Sequence, residues 1–292
     1  MVPNWLDVTA NFGPSEVRHM AWDAYIPGNI LMILGNALAT VNLATNTTSI
    51  IAGNPSVSGF SGDQRTGMAR FDTPYSFHQV NSTYVILIDT LNHCLVLISR
   101  ETNTTTIFTG NPIFSGHKNK ALPSSNYNTP LKIVALSNVT LAVTDGFNKC
   151  IRKLDLKNSR TSDLACLGVD DSVAIIVGIA VRPGTTEIYF SFMGGIGMVN
   201  SNENTQDVVI LTTENIGRNG LVDGTISNAV FDQLPETILF LDGNTMLITG
   251  RTTMTIRVVS LITERVSSIC AVQQENATRS SPGNIETCYI HA

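Results

Sequence analysis

The sequence predicts an all-β fold assembled from repeated four-stranded antiparallel meanders, and three observations carry that prediction. A unit recurs at irregular spacing of about 45 to 60 residues. Each copy holds four short runs rich in β-branched residues, and Gly, Asn, Asp and Pro separate the runs. No stretch shows a competing helical period. A lone meander leaves both of its faces uncovered, whereas a set of meanders packed face against face buries them and leaves only short edges, so the expected architecture is a β-propeller.

The copies, taken in order, lie near residues 10–53, 69–110, 125–168, 169–213 and 229–272. The first opens on Ala10-Asn11-Phe12-Gly13-Pro14, with strands expected near 30–34, 38–43 and 49–53. The second is clearest. Gly59-Phe60-Ser61-Gly62-Asp63 crosses over and Ala69-Arg70-Phe71-Asp72-Thr73-Pro74 follows. Strands are then expected at 84–88, 94–98 and 105–109, with Asp89-Thr90-Leu91-Asn92-His93 as a turn. The third repeats it with Tyr127, Thr129-Pro130, Asp145-Gly146-Phe147-Asn148 and strands near 141–144, 150–156 and 162–168. The fourth has lost these residues but keeps four apolar runs. The fifth reads Gly220-Leu221-Val222-Asp223-Gly224, Ala229-Val230-Phe231 and Pro235, then strands near 237–241, 246–249, 255–261 and 266–271. Residues 273–292 form a tail or the start of a further blade, so the propeller has five blades or an incomplete six.

At these residues the chain resembles the NHL-repeat family of propellers, whose pattern runs through a Gly-x-x-Asp-Gly crossover, Ala-x-Phe, Pro, and an Asp-x-x-Asn-His turn before an Ile-Arg strand. Copies two, three and five match it well, and copies one and four weakly. The resemblance implies a fold more than an activity, because one propeller scaffold hosts unrelated functions. Phe71, Tyr127 and Phe231 recur at one place in the unit and are expected as core wedges. Asp89 and Asp145 open the turn between strands two and three, where a short carboxylate can accept backbone N–H bonds that the turn leaves unpaired. Gly53, Gly62, Gly110, Gly168 and Gly224 are expected in tight or positive-φ turns rather than in a phosphate loop.

Composition narrows the function. A net charge of −5, from 18 Lys+Arg against 23 Asp+Glu, provides no basic face for phosphates, which argues against nucleic acid, anionic membrane and the RNA-binding variant of the NHL domain. The longest apolar stretch, residues 173–181, is about half of what spans a bilayer, so this segment inserts in no membrane. The opening MVPNWLDVTANFG lacks the basic and apolar regions of a secretory signal, so Met1 opens a cytosolic protein or a truncated chain.

Cysteines point to compartment. Cys150 and Cys166 lie eight residues either side of Asn158, the centre of the turn between strands three and four of the third copy, which places them opposite one another. Directly paired strand residues lie about 4.5–5.5 Å apart at Cα, within disulfide range, and the alternative is two reduced core thiols. Cys94 stands one repeat earlier but faces Gly110. Cys270 is expected to face Met254 or Thr255, with Cys288 as its mate and one thiol of the five left over. Sequons occur at Asn46, Asn81, Asn103, Asn138 and Asn276, about as many as chance allows in so Asn-, Ser- and Thr-rich a chain. Asn46 and Asn103 fall in turns before strand four, Asn81 and Asn138 in turns before strand two. Low charge, a cross-strand disulfide and accessible sequons together favour an extracellular protein or ectodomain over a cytoplasmic one.

Relatives of the NHL propeller include a peptide-amidating lyase that holds a metal with histidines near the propeller axis. Here His19, His78, His93, His117 and His291 do not recur in phase, and His19 and His78 are expected on opposite faces of their strands. A zinc site needs three converging ligands, which this spacing does not supply. No Gly-x-Ser-x-Gly elbow or Cys-x-x-Cys pair is present. The reading is therefore a non-enzymatic module, without cofactor or metal, that binds a protein, peptide or glycan through loops at one end. Its candidate contacts are Ser58, Phe60, Asp63, His117, Lys118, Arg218 and Asp223, in crossovers that can vary while the sheets hold them. A metal-dependent lyase or hydrolase on the same fold is the alternative.

Overall fold

A computed structural model describes residues 16–168, 175–202, 207–214, 218, 220–232, 234–253 and 255–271. Among them there is no α-helix, only three single 3₁₀ turns. The described residues form five antiparallel sheets, the blades of a β-propeller, each an up-and-down meander of four strands to which two of the sheets add a two-residue edge strand. It separates into two compact units, Met1–Asn148 with Arg152–Asp163, and Lys149–Ile151 with Leu164–Ala292.

Sheet one contains β1 (Val17–Trp22), β2 (Asn29–Leu34), β3 (Ala37–Asn42) and β4 (Thr47–Gly53). Sheet two contains β5 (Gln64–Arg65), β6 (Pro74–Gln79), β7 (Tyr84–Asp89), β8 (Cys94–Ser99) and β9 (Thr104–Gly110), with the two-residue β5 covering the outer edge of β9. Sheet three contains β10 (Pro130–Ser137), β11 (Thr140–Asp145), β12 (Cys150–Asp155) and β13 (Arg160–Cys166). Sheet four contains β14 (Ile176–Val181), β15 (Glu187–Phe192), β16 (Gly195–Asn200) and β17 (Val208–Ile210). Sheet five contains β18 (Gly224–Thr225), β19 (Pro235–Phe240), β20 (Thr245–Gly250), β21 (Thr255–Ser260) and β22 (Arg265–Ala271). The repeat prolines Pro74, Pro130 and Pro235 each take the first position of a first strand, where a missing N–H costs no ladder bond.

In the first unit the middle strands read as unbroken apolar runs because both faces are buried. On β7, Val85 and Leu87 join Leu31, Ile33, Phe71 and Phe77 between sheets one and two. Their neighbours Ile86 and Ile88 turn the other way, to Tyr127, Ile133, Val143 and Leu154. Alternation at period two thus serves two cores from one run. In the second unit Ile238, Met246, Ile248 and Val259 pack with Tyr189, Ile196 and Phe231. Phe71, Tyr127 and Phe231 are all buried, as core wedges should be.

The fourth copy shows what replaced the signature. Phe190 pairs with Gly197 and Phe192 with Gly195 across β15 and β16. A Cβ at Gly197 would lie 2.5 Å from the Phe190 ring, and one at Gly195 would lie 2.6 Å from the Phe192 ring. These glycines make room for rings.

Three local expectations change. Gly53, Gly62, Gly110 and Gly224 have positive φ, but Gly168 is not among the positive-φ residues, so no left-handed turn requires glycine there. Cys270 is opposite Ile256 rather than Met254 or Thr255, because a register shift between Ile256 and Arg257 displaces the pairing. Asp89 and Asp145 accept backbone N–H groups from outside their own turns, as described below.

Candidate functional site

The turn between the second and third strands of sheets two and three is built on a buried carboxylate. Asp89 Oδ1 accepts the Asp72 N–H at 2.7 Å and its Oδ2 accepts from Asn92 Nδ2 at 2.8 Å. Asp145 repeats this with Asn128 N–H at 2.7 Å and Asn148 Nδ2 at 2.8 Å. Each donating amide is 17 residues upstream, in the segment entering the first strand, so the carboxylate pins the crossover to the turn. The Asn side chains extend the pin: Asn92 Nδ2 donates to Gly59 O and Asn148 Nδ2 to Gly116 O, both 2.9 Å.

A buried arginine stands on the third strand of two copies, beside the turn carboxylate in the third and beside the crossover in the fifth. Arg152 is fully buried, pairs with Asp145 Oδ2 at 2.7 Å and with Asp163 at 2.9 Å, and donates to Asn126 O, Lys118 O and Asn119 Oδ1. Arg257 donates to Val230 O, Val222 O and Asp223 Oδ1. Their guanidinium carbons stand 5.0 Å from the Tyr127 ring centroid and 5.3 Å from that of Phe231. In the second copy Val96 occupies the corresponding place. Burial there pushes the Asp89 carboxyl up to about 8, against the pull of its hydrogen bonds. Burial also raises Asp145, opposed by its hydrogen bonds and by Arg152.

These contacts account for several candidate residues. Asp63 Oδ1 accepts the Ile107 N–H at 3.0 Å and so ties its crossover to β9. Asp223 plays the same part on β22, accepting from Ser268 N–H and Oγ. His117 Nε2 lies 2.8 Å from Asp163 Oδ1, and the main chain of Lys118 bridges to Asn126. Ser58, Phe60 and Arg218 are exposed.

Phe60, which the sequence marks, belongs to a larger exposed set at the same end of the first unit, whose other members sequence reasoning missed. Val57 and Phe60 lie in the crossover after β4, Ile113 and Phe114 in the crossover after β9, and Leu91 and Phe147 in the turns after β7 and β11. Ile113 is 76% exposed, Phe114 66%, Phe147 56% and Leu91 50%. The available signal was their apolar character within segments otherwise made of turn residues.

The histidines do other work. His19 lies 4.6 Å from Phe77 by ring centroids, and its Nδ1 is 3.3 Å from Ser76 Oγ and from the Phe77 N–H. Burial, with Lys132 nearby, lowers it to about 4. Burial also lowers His78. His93 Nδ1 accepts the Thr129 N–H at 3.1 Å. His291 lies outside the described residues. Cys150 and Cys166 are bridged, with Cα atoms 4.1 Å apart, slightly closer than the expected pairing distance. Cys94 is free, buried and opposite Gly110, and burial pushes its thiol up. Cys288 and Asn276 lie outside the described residues.

No protein-family model matches the sequence and no curated protein matches it, so the NHL resemblance rests on the repeat residues themselves. Solved structures do match. An auxiliary nutrient binding protein from Bacteroides thetaiotaomicron VPI-5482 aligns over 87% of this chain and 57% of its own, with 12% identity and a TM-score of 0.62. One from Bacteroides ovatus ATCC 8483 aligns over the same shares, with 14% identity and a TM-score of 0.61. A chain of a nidogen/laminin complex aligns over 88% of this chain and 80% of its own, with 10% identity and a TM-score of 0.58. The chain thus spans 57% of the length of the two nutrient-binding structures. At these identities the likeness is one of fold, and that fold is the β-propeller.

Proposed function

We propose that this chain is a non-enzymatic recognition module that binds a protein, peptide or glycan outside the cell. One observation carries the reading. Val57, Phe60, Leu91, Ile113, Phe114 and Phe147 are exposed at one end of the first unit, on loops that buried carboxylates and Asn side chains hold to the sheets. Loops fixed in this way lose little entropy on binding. Large apolar side chains on them supply contact area of the kind that interfaces use. The polar candidates Asp63 and His117 support those loops. A bridged Cys150–Cys166 pair favours an oxidising compartment. Propellers of similar fold include an auxiliary nutrient binding protein and a chain of a nidogen/laminin complex. The metal-dependent alternative draws no support from His19, His93 and His117, each of which is engaged with its own neighbours.

The test is a multimerised, secreted form of the chain screened against a panel of extracellular proteins, peptides and glycans. Saturable binding that falls at least tenfold in Phe60→Asp and Phe114→Asp, but not in Leu43→Asp at the other end of the sheets, is the expected result. About one zinc per chain surviving dialysis, with a turnover lost in His19→Ala or His78→Ala, would replace this reading with the enzyme.

A further inference from the structure

An antiparallel meander puts its first and third turns at one end of the sheet and its second turn at the other. In the first unit the sheets are joined in the same sense, and each end has its own cross-sheet contacts. At one end Asp23, in the β1–β2 turn, pairs with Arg100, in the β8–β9 turn, at 2.8 Å, and Gln79 Oε1 accepts the Ala24 N–H. At the other end Asn36 Oδ1 accepts the Thr73 N–H, and His93 accepts that of Thr129.

Every sequon among the described residues falls at the first of these ends. Asn46 is in the β3–β4 turn, Asn81 in β6–β7, Asn103 in β8–β9 and Asn138 in β10–β11, and all four are exposed. Asn81 makes its turn bonds through Oδ1, which accepts the Thr83 and Tyr84 N–H groups, so Nδ2 takes no part in them. No asparagine at the opposite end of the first unit heads a sequon. Asn54 comes nearest, and Pro55 blocks it. Chance explains the number of sequons but not their segregation from the crossover end, where Phe60, Ile113, Phe114 and Phe147 are exposed.

We propose that Asn46, Asn81, Asn103 and Asn138 carry N-linked glycans, which cover one end of sheets one to three and leave the crossover end bare for partner contact. The inference rests on the extracellular reading above. Each Asn Nδ2 forms a bond to the anomeric carbon of an oligosaccharide donated by a lipid diphosphate. The bond from that carbon to the diphosphate oxygen breaks, the lipid diphosphate leaves with the electron pair, and the amide gives up one proton. The acceptor amides sit in turns, so sugar added there displaces no ladder bond.

Secretion of the chain from insect cells behind a cleavable leader, followed by glycosidase release in heavy-oxygen water and peptide mass spectrometry, reads each site separately. The expected result is a sugar at all four positions in most molecules. Gel mobility should then rise by one step for each of Thr48→Ala, Thr83→Ala, Thr140→Ala and Asn103→Asp. The last is chosen because Asn103 has φ +54, which Asp tolerates, while Thr105 is buried and donates to Gln64 O. Two or more bare sites in secreted protein with Cys150 and Cys166 bridged would overturn the glycan proposal and leave the extracellular reading standing. Intracellular retention with both thiols free would overturn both.

Discussion

Replacing Arg152 with Met separates the two arginine-bearing repeats, because the same residue type sits in two different solvent environments. Arg152 and Asp145 are both fully buried, whereas the Asp223 side chain that pairs with Arg257 is 50% exposed. Removing one partner of a buried pair leaves an uncompensated charge and costs about 3–5 kcal/mol. Two carbonyls, Asn126 O and Lys118 O, lose their donor as well. Arg152→Met should therefore cost about 4–5 kcal/mol. Arg257→Met should cost about 2 kcal/mol, since water can solvate Asp223 and the main loss is to the Val230 and Val222 carbonyls. Burial already raises Asp145, and loss of the guanidinium raises it further. A carboxyl raised in the folded state contributes stability that is present in full below its unfolded pKa and is lost as pH rises through the folded value. The deficit of Arg152→Met should thus be larger at about pH 8 than at about pH 5, and adding Asp145→Asn should restore part of it. Urea denaturation of the four proteins at both pH values measures these differences. Equal costs for the two arginines, or an Arg152→Met cost under about 1 kcal/mol, would refute the reasoning.

Asp89 has no arginine and is held up to about 8 by burial, so its contribution to stability should decline as pH rises from about 4 to about 8, by an amount on the order of 5 kcal/mol. Asp89→Asn should flatten that part of the stability–pH profile, and an unchanged slope would count against a buried, raised carboxyl. Gly110→Ala should cost several times as much as Gly28→Ala. A Cβ at Gly110, with φ +106, meets Cys94 Cα at 2.5 Å, whereas at Gly28, with φ +80, it meets nothing within 4 Å; thermal denaturation compares the two. Cys150→Ser with Cys166→Ser should lower stability by about 3 kcal/mol under oxidising conditions and by nothing in excess reductant. Non-reducing peptide mapping of the parent should recover the linked pair.

The strands were legible because their causes are local. Short β-branched apolar runs and the turn residues between them placed β7, β8 and β9 to within a residue at each end, and equal spacing about Asn158 identified Cys150 and Cys166, which the structure joins. Burial of Phe71, Tyr127 and Phe231 followed from their recurrence at one place in the unit. The partners of the signature carboxylates did not follow, because the amide that Asp89 accepts belongs to Asp72, brought near only when the crossover folds back on the turn. Likewise Gly195 and Gly197 resemble loop glycines until Phe192 and Phe190 are seen to occupy the space a Cβ would take. Crossover residues chosen as contacts divided into supports such as Asp63 and exposed groups such as Phe60. That division depends on which backbone amides lie within reach, and only the packed sheets determine it. The sequence by itself therefore determined the strands, the repeat and one disulfide, through interactions between residues close in the chain or fixed in register. The tertiary structure decided which end of the sheets each turn occupies and which polar groups are spent holding it, because those contacts join segments that nothing local brings together.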